Sequence, residues 1–211
     1  MANLIITISR EFGSGGRLIG KMLAQKLGIN CFDRELIEKA SEQSGLSPQF
    51  LESFETNASS SLLYGLLATP HPTSDIYLPY DVPIGDRAFF AQSAVIREFA
   101  EKESCVIIGR CADYILRDHP NCVAVFLRAD MEDKLQRVAH IYGMEGDEKT
   151  LTEKITKIDR GRANYYKHYA GMNWGSVKLY DLCINTSISG IEGAVDTIAA
   201  FVKERAPHTL G

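Results

Sequence analysis

The chain has 211 residues, 45% of them hydrophobic and 24% charged, with a formal net charge of −4 and a pI near 5.8. This is the profile of a globular protein with one sizeable core. It excludes a protein drawn to nucleic acid or to anionic membrane by its overall charge, so any anion site has to be built from locally clustered arginines. Five cysteines, at positions 31, 105, 111, 122 and 183, have no C-x-x-C spacing. A scattered odd set is expected of buried thiols in a reducing compartment, without a disulfide framework or a zinc site. Arg10 and Glu11 interrupt the first apolar run too early for a secretory signal, and the apolar patch at 62–68 is too short to cross a bilayer, so a cytoplasmic location is expected.

The stretch IITISREFGSGGRLIG, residues 5–20, reads as a β-branched strand, a glycine turn and the opening of an amphipathic helix. Glycines at 13, 15 and 16 allow positive φ and a close backbone approach. The helix that follows offers unpaired N–H groups and the positive end of its dipole. With a strand before it and a helix after it, the turn is expected to bind phosphate; a tight structural corner is the alternative use of the same letters. The Walker A pattern G-x-x-x-x-G-K-[ST] is met only in part. Arg10 stands at its first glycine, Gly15 at its second, Gly16 at the lysine and Arg17 at the hydroxyl. Arg17 is placed to supply the missing cation as a planar fork instead of a point charge. Ser14 has a hydroxyl within the loop, which does not by itself make it a metal ligand, and no metal ligand is assigned.

Apolar positions at helical spacing run from Leu18 to Leu27, with Gly28 suited to the C′ position. A short strand follows at 29–32. It ends in Asp33-Arg34, either a ligand-binding strand end or simply the N-cap of the helix that runs to Gly45. Ser47 and Pro48 mark the N-cap and first position of another helix. Residues 57–85 hold a serine run and four prolines with no sustained period, which reads as a substrate-covering insertion or a plain loop. A helix over 86–104 leads into the apolar strand Cys105–Ile108, closed by Gly109-Arg110; a glycine beside an arginine at a strand end makes Arg110 a site candidate. Strand 122–127 precedes a helix capped by Asp130. A long polar helix from Asp147 carries the densest positive charge of the chain, with Lys154, Lys157, Arg160, Arg162 and Lys167. Its Arg160-Gly161-Arg162 segment suits a hinged basic lid over phosphates. A strand at 179–185 and a helix at 191–202 close the chain. Five strands alternating with helices imply a parallel sheet covered on both faces in a single domain.

These residues resemble the P-loop nucleoside monophosphate kinases, and among them the cytidylate kinase-like proteins. The likeness runs through ISREFGSGGRLIG, FDREL at 32–36, IIGRCADYIL at 107–116, FLRADMEDKLQRV, KIDRGRANYYKHYAGMNW and YDLCINTS. Cytidylate kinases have a G-S-G-K-G-T loop, a G-R-D segment that holds the monophosphate, and a D-x-x-R lid pattern matched here by Asp159 and Arg162. This chain has Gly16 for the loop lysine and Cys111 for the aspartate of G-R-D. The resemblance implies a P-loop three-layer α/β/α fold with a five-stranded parallel sheet, an acceptor-side insertion near 46–85 and a lid near 147–175. It implies Gly13, Ser14, Gly15, Gly16 and Arg17 on the donor phosphates, Asp33, Arg34, Arg110 and Asp159 on the acceptor, and Arg17, Arg160 and Arg162 on the transferring phosphoryl. ATP and Mg²⁺ are the implied cofactors, and a small nucleotide such as CMP or dCMP the implied acceptor, with no nucleic-acid or membrane partner. A nucleotide-binding regulatory protein that kept the fold and lost catalysis with the lysine is the alternative.

Overall fold

The computed structural model describes residues 3–56 and 82–205. In chain order the elements are β1 (Ile5–Arg10), α1 (Gly16–Leu27), β2 (Asn30–Phe32), α2 (Arg34–Ser44), α3 (Pro48–Phe54), α4 (Ile84–Lys102), β3 (Cys105–Ile108) and α5 (Ala112–Ile115). They continue with β4 (Cys122–Arg128), α6 (Met131–Tyr142), α7 (Glu148–Ala170), a 3₁₀ turn at Val177–Leu179, β5 (Leu182–Asn185) and α8 (Thr186–Arg205). The five strands are all parallel in the order β2-β3-β1-β4-β5.

A central parallel strand is covered on both faces, so it has to be apolar at nearly every position. All six residues of β1 and all four of β3 are buried. Successive side chains of β1 point to opposite faces. Ile5, with Ile107 of β3, packs against Leu36, Phe50, Ile96 and Tyr165 from α2, α3, α4 and α7. Ile6 and Ile8, with Val106, pack against Ile19 and Leu23 of α1 and Val195 and Ile198 of α8. Arg10 shares the parity of Ile6 and Ile8, which sends it towards α1 at the sheet's carboxyl edge, where open α/β sheets hold ligands.

Ser47 caps α3 as expected, its hydroxyl accepting the Phe50 N–H at 3.2 Å with Pro48 in the first turn. The last strand is shorter than expected. Residues 177–179 curl into the 3₁₀ turn, and Asp181 sits just ahead of β5, where its carboxylate accepts the Ala124 N–H at 2.8 Å. α8 opens at Thr186 instead of 191 because a turn of helix precedes Gly190, whose φ of 68° interrupts it. Of the insertion expected at 46–85, residues 57–81 lie outside the described residues.

The Arg160-Gly161-Arg162 segment expected of a basic lid lies within α7. α7 runs unbroken through it, and the glycine serves close approach: a methyl group there would run into the backbone carbonyl of Thr56, just past the end of α3. Backbone cannot move aside as a flexible side chain can. Gly161→Ala is therefore expected to destabilise the fold by about 1–3 kcal/mol, the usual cost of overpacking. Thermal unfolding would register this as a drop of several degrees, whereas Lys157→Ala on the exposed face of α7 should stay within about 0.5 kcal/mol of the parent.

Candidate functional site

Between β1 and α1 the chain turns through Gly13 at φ 80° and Gly15 at φ 85°, left-handed conformations natural only to glycine. Much of this loop is braced from behind. The Phe12 N–H donates to Asp159 Oδ1 at 2.7 Å, and both the N–H and the hydroxyl of Ser14 donate to the Glu11 carbonyl, at 3.3 and 2.8 Å. Thr186 Oγ1 donates to the Ser14 carbonyl at 2.9 Å. The Glu11 carboxylate accepts the Ala129 N–H at 3.1 Å and pairs with the buried Lys134 at 2.7 Å, and Lys134 reaches Asp159 at 3.3 Å. What is left matters most. Among the described residues the N–H groups of Gly13, Gly15, Gly16 and Arg17 have no hydrogen-bond partner, and they lie at the positive end of the α1 dipole.

These residues line a cavity of about 360 Å³ together with Arg10, Arg110, Arg162, Glu52 and Glu55. Glu55 is buried among the cations. Arg10 Nη1 is 3.0 Å from its carboxylate, the Arg110 N–H 3.4 Å and Arg110 Nε 3.8 Å. Burial alone would push the Glu55 carboxyl up, but the charges of Arg10, Arg110 and Arg162 outweigh it and hold the group well below the usual carboxylate range. Arg110 follows Gly109 with φ 59°, and Cys111 with φ 54°, so two consecutive non-glycine residues are left-handed. Such strain costs about 1–3 kcal/mol per residue and clusters at functional sites. Here it turns the Arg110 guanidinium onto the Leu51 carbonyl, 2.7 Å away. Arg162 donates to the Arg10 carbonyl at 3.0 Å, while its Nε is buried with no hydrogen-bond partner among the described residues. Burial first, and then the charge of Arg10, push its pKa down to about 10, which still leaves it protonated at neutral pH.

The structure thus brings Gly13, Gly15, Gly16, Arg17, Arg110 and Arg162 to one cavity. Ser14 is fully buried and turned away from it. Arg17 lines the cavity but pairs through Nε with Asp33 at 2.7 Å, so Asp33 braces that arginine without capping α2 through its side chain. Asp159 stands behind the loop, 3.7 Å from Arg162. Arg34, paired with Glu38, and Arg160 are exposed on the surface, and neither lines the cavity.

Four charged side chains that line the cavity or brace the elements around it escape the sequence reading. Arg10 carried a signal, a charge closing a buried strand at the first glycine of the consensus. Glu55 and Lys134 carried none, being ordinary letters on amphipathic helices. Asp113 follows Cys111 by two positions and faces the core, accepting Ser9 Oγ at 3.3 Å and the Tyr166 hydroxyl at 2.7 Å, with burial pushing its carboxyl up.

Residues 5–188 match the model of the cytidylate kinase-like family. The cytidylate kinase of Ignicoccus hospitalis is 26% identical over 195 residues, which cover 92% of this chain and 96% of that one. That of Pyrococcus horikoshii is 25% identical over 205 residues, covering 97% and 91%. An uncharacterized protein from Eubacterium ventriosum, a crystal structure, aligns with a TM-score of 0.69 at 30% identity, covering 95% of this chain and 99% of that one. Shikimate kinase from Bacteroides thetaiotaomicron aligns at 0.55 with 15% identity, covering 95% and 98%, a likeness of fold alone. With its P-loop-like turn, its parallel sheet and a match over most of its length, the chain belongs to the cytidylate kinase-like family.

Proposed function

We propose that this protein transfers the terminal phosphoryl group of a nucleoside triphosphate, ATP first, to a small acceptor, with CMP or dCMP the leading candidate. One observation carries the reading: four unengaged main-chain N–H groups at a helix N-terminus open into a cavity that also holds Arg17, Arg110 and Arg162. Backbone dipoles and the helix end suit donor phosphates. Arg110 suits the acceptor phosphate. Arg162, fixed to the β1 carbonyl, suits the equatorial oxygens, where charge collects in a loose transition state. Residues 147–175 would act as the lid and 46–85 as the acceptor side.

A nucleotide fits this donor set better than a metal does. Arg17 occupies the place of the consensus hydroxyl ligand, the Ser14 hydroxyl is buried, and among the described residues no three His, Cys, Asp or Glu side chains converge. Mg²⁺ would enter with the nucleotide, held by phosphate oxygens and water, and Glu52, an exposed carboxylate on the cavity wall, would be the side chain available to its hydration shell. The changed loop favours one other reading, a regulatory protein that binds nucleotide without turning it over.

Incubating the protein with ATP and a panel of monophosphates and other small acceptors separates the two. Acceptor-dependent ADP formation is expected, and tight ATP binding with no turnover on any acceptor would select the regulatory reading. Arg17→Ala should lower transfer by roughly 10²-fold or more. Because the Arg17 side chain is 43% exposed but partners the largely buried Asp33, its removal should lower stability by about 1 kcal/mol and leave the fold intact.

The arginine cluster also sets an acid limit. Glu55→Gln leaves buried cations without their counter-charge and should cost about 3–5 kcal/mol at neutral pH. The Glu55 pKa is depressed in the folded state, so its contribution is complete above the unfolded value of 4.5. It drains at about 1.4 kcal/mol per pH unit as the pH falls below that value. Urea unfolding at pH 7 and pH 3.5 should accordingly find the gap between parent and variant narrowed by more than 1 kcal/mol.

A further inference from the structure

The loop departs from the Walker A pattern at three places, and two of them, Arg10 for glycine and Gly16 for lysine, are kept six residues apart by the sequence. In space they are one place. A Cβ built on Gly16 would lie 2.8 Å from Arg10 Cβ and 2.7 Å from Arg10 Cγ. The Cβ of Arg10 is fixed by the backbone, so no rotamer of the arginine relieves that 2.8 Å contact. Side chains at 10 and 16 therefore exclude each other: one position has to be glycine if the other carries a cation. Farther out, the guanidinium passes over Gly109, where a Cβ would collide with Nη1 and where φ is 73°. Its tip donates to Glu55 through Nη1 at 3.0 Å, and among the described residues this is the one hydrogen bond its side chain makes. Nε and Nη2 are left for another acceptor on a cavity wall shared with Gly13, Gly15 and Gly16.

From this geometry we infer that cation and glycine have changed places in the loop: Arg10, from the end of β1, is the phosphate-binding cation that the consensus supplies from position 16. The inference rests on the phosphoryl-transfer reading for its ligand, the β- and γ-phosphates of a nucleoside triphosphate. It assigns Gly16 a positive role, that of leaving room. Arg17, tied to Asp33, is then a second cation at the mouth of the site and not the substitute for the lysine.

The test is a cycle of four proteins, the parent, Arg10→Gly, Gly16→Lys and Arg10→Gly/Gly16→Lys, the last of which restores the consensus letters at both places. ATP binding is measured by calorimetry and folding by thermal unfolding. The parent is expected to bind ATP. Each single variant should bind roughly 10- to 100-fold more weakly, one for want of the cation and the other because the new side chain collides with Arg10. The double variant should recover affinity to within a few-fold of the parent and melt above both singles. The inference is overturned if Gly16→Lys alone binds and melts like the parent, or if the double variant fails to fold or binds no better than Arg10→Gly. Should a single variant not fold, the double still decides, since its lysine takes up the vacated space and the Glu55 partnership. A parent that binds no ATP would instead sink the phosphoryl-transfer reading, and the melting order of the four proteins would still report on the exchange.

Discussion

One buried carboxylate makes the cavity possible. Arg10, Arg110 and Arg162 come together from the end of β1, the turn after β3 and the middle of α7, and three guanidinium groups in so small a space repel one another by several kcal/mol even at an effective dielectric constant near 20. Glu55 meets two of them directly and the third through its field. Its position follows from α3, whose apolar face of Phe50, Leu51 and Phe54 packs into the core and leaves the next residue at the cavity wall. The Arg110 bond to the Leu51 carbonyl and the backbone contact of Gly161 with Thr56 fasten the same short helix from two other sides. Electrostatics and packing therefore depend on one another here. Neither the arginine cluster nor the seat of α3 is independent of that single side chain.

The architecture was readable because it is written in periods. CVII at 105–108 and the run from Ile5 read as strands buried on both faces because they are short, rich in β-branched residues and bounded by turn signals, and Ser47-Pro48 reads as a helix start. Arg110 was readable because an arginine after a strand-ending glycine is exposed to few interpretations. The partnership of Arg10 with Gly16 was not, although both letters were in view. Each departure from the consensus reads separately as a loss, and only the distance between a side chain's root and an absent Cβ joins them. The packing role of Gly161 was hidden for a related reason. Sequence cannot tell a glycine that bends from a glycine that lets two backbones touch. Glu55 and Lys134 gave no sign at all, because their meaning lies in partners 25 to 123 residues away.

The loop is divided between structure and ligand. Phe12 and Ser14 spend their N–H groups on Asp159 and the Glu11 carbonyl, which sets the curvature that leaves the N–H groups of Gly13, Gly15, Gly16 and Arg17 open. Lys134 ties Glu11 to Asp159, so the same ions that brace the loop link it to α6 and α7. A change in the seating of α7 is felt at Phe12 through Asp159, and at the end of β1 through Arg162 and the Arg10 carbonyl. The lid proposed for this helix would act on the phosphate site through those two bonds as well as through Arg162, which already lines the cavity.

Placing the cation on the strand instead of the helix changes how it meets a phosphate. A lysine at the start of a helix keeps a long flexible stem, and ordering it on binding costs up to about 2 kcal/mol of rotamer entropy. Arg10 is only 5% exposed, lies along the trough of Gly16 and Gly109, and is held at its tip by Glu55, so its ordering is completed on folding. The counterpart of that preorganisation is a carboxylate 3.0 Å away that offsets part of the charge presented to a ligand. The remaining cations redress the balance, since Glu55 is shared among three arginines and neutralises one charge among them. Net positive charge survives in the cavity while each guanidinium keeps a fixed direction. That combination serves an anion whose charge is spread over several oxygens better than one concentrated at a point.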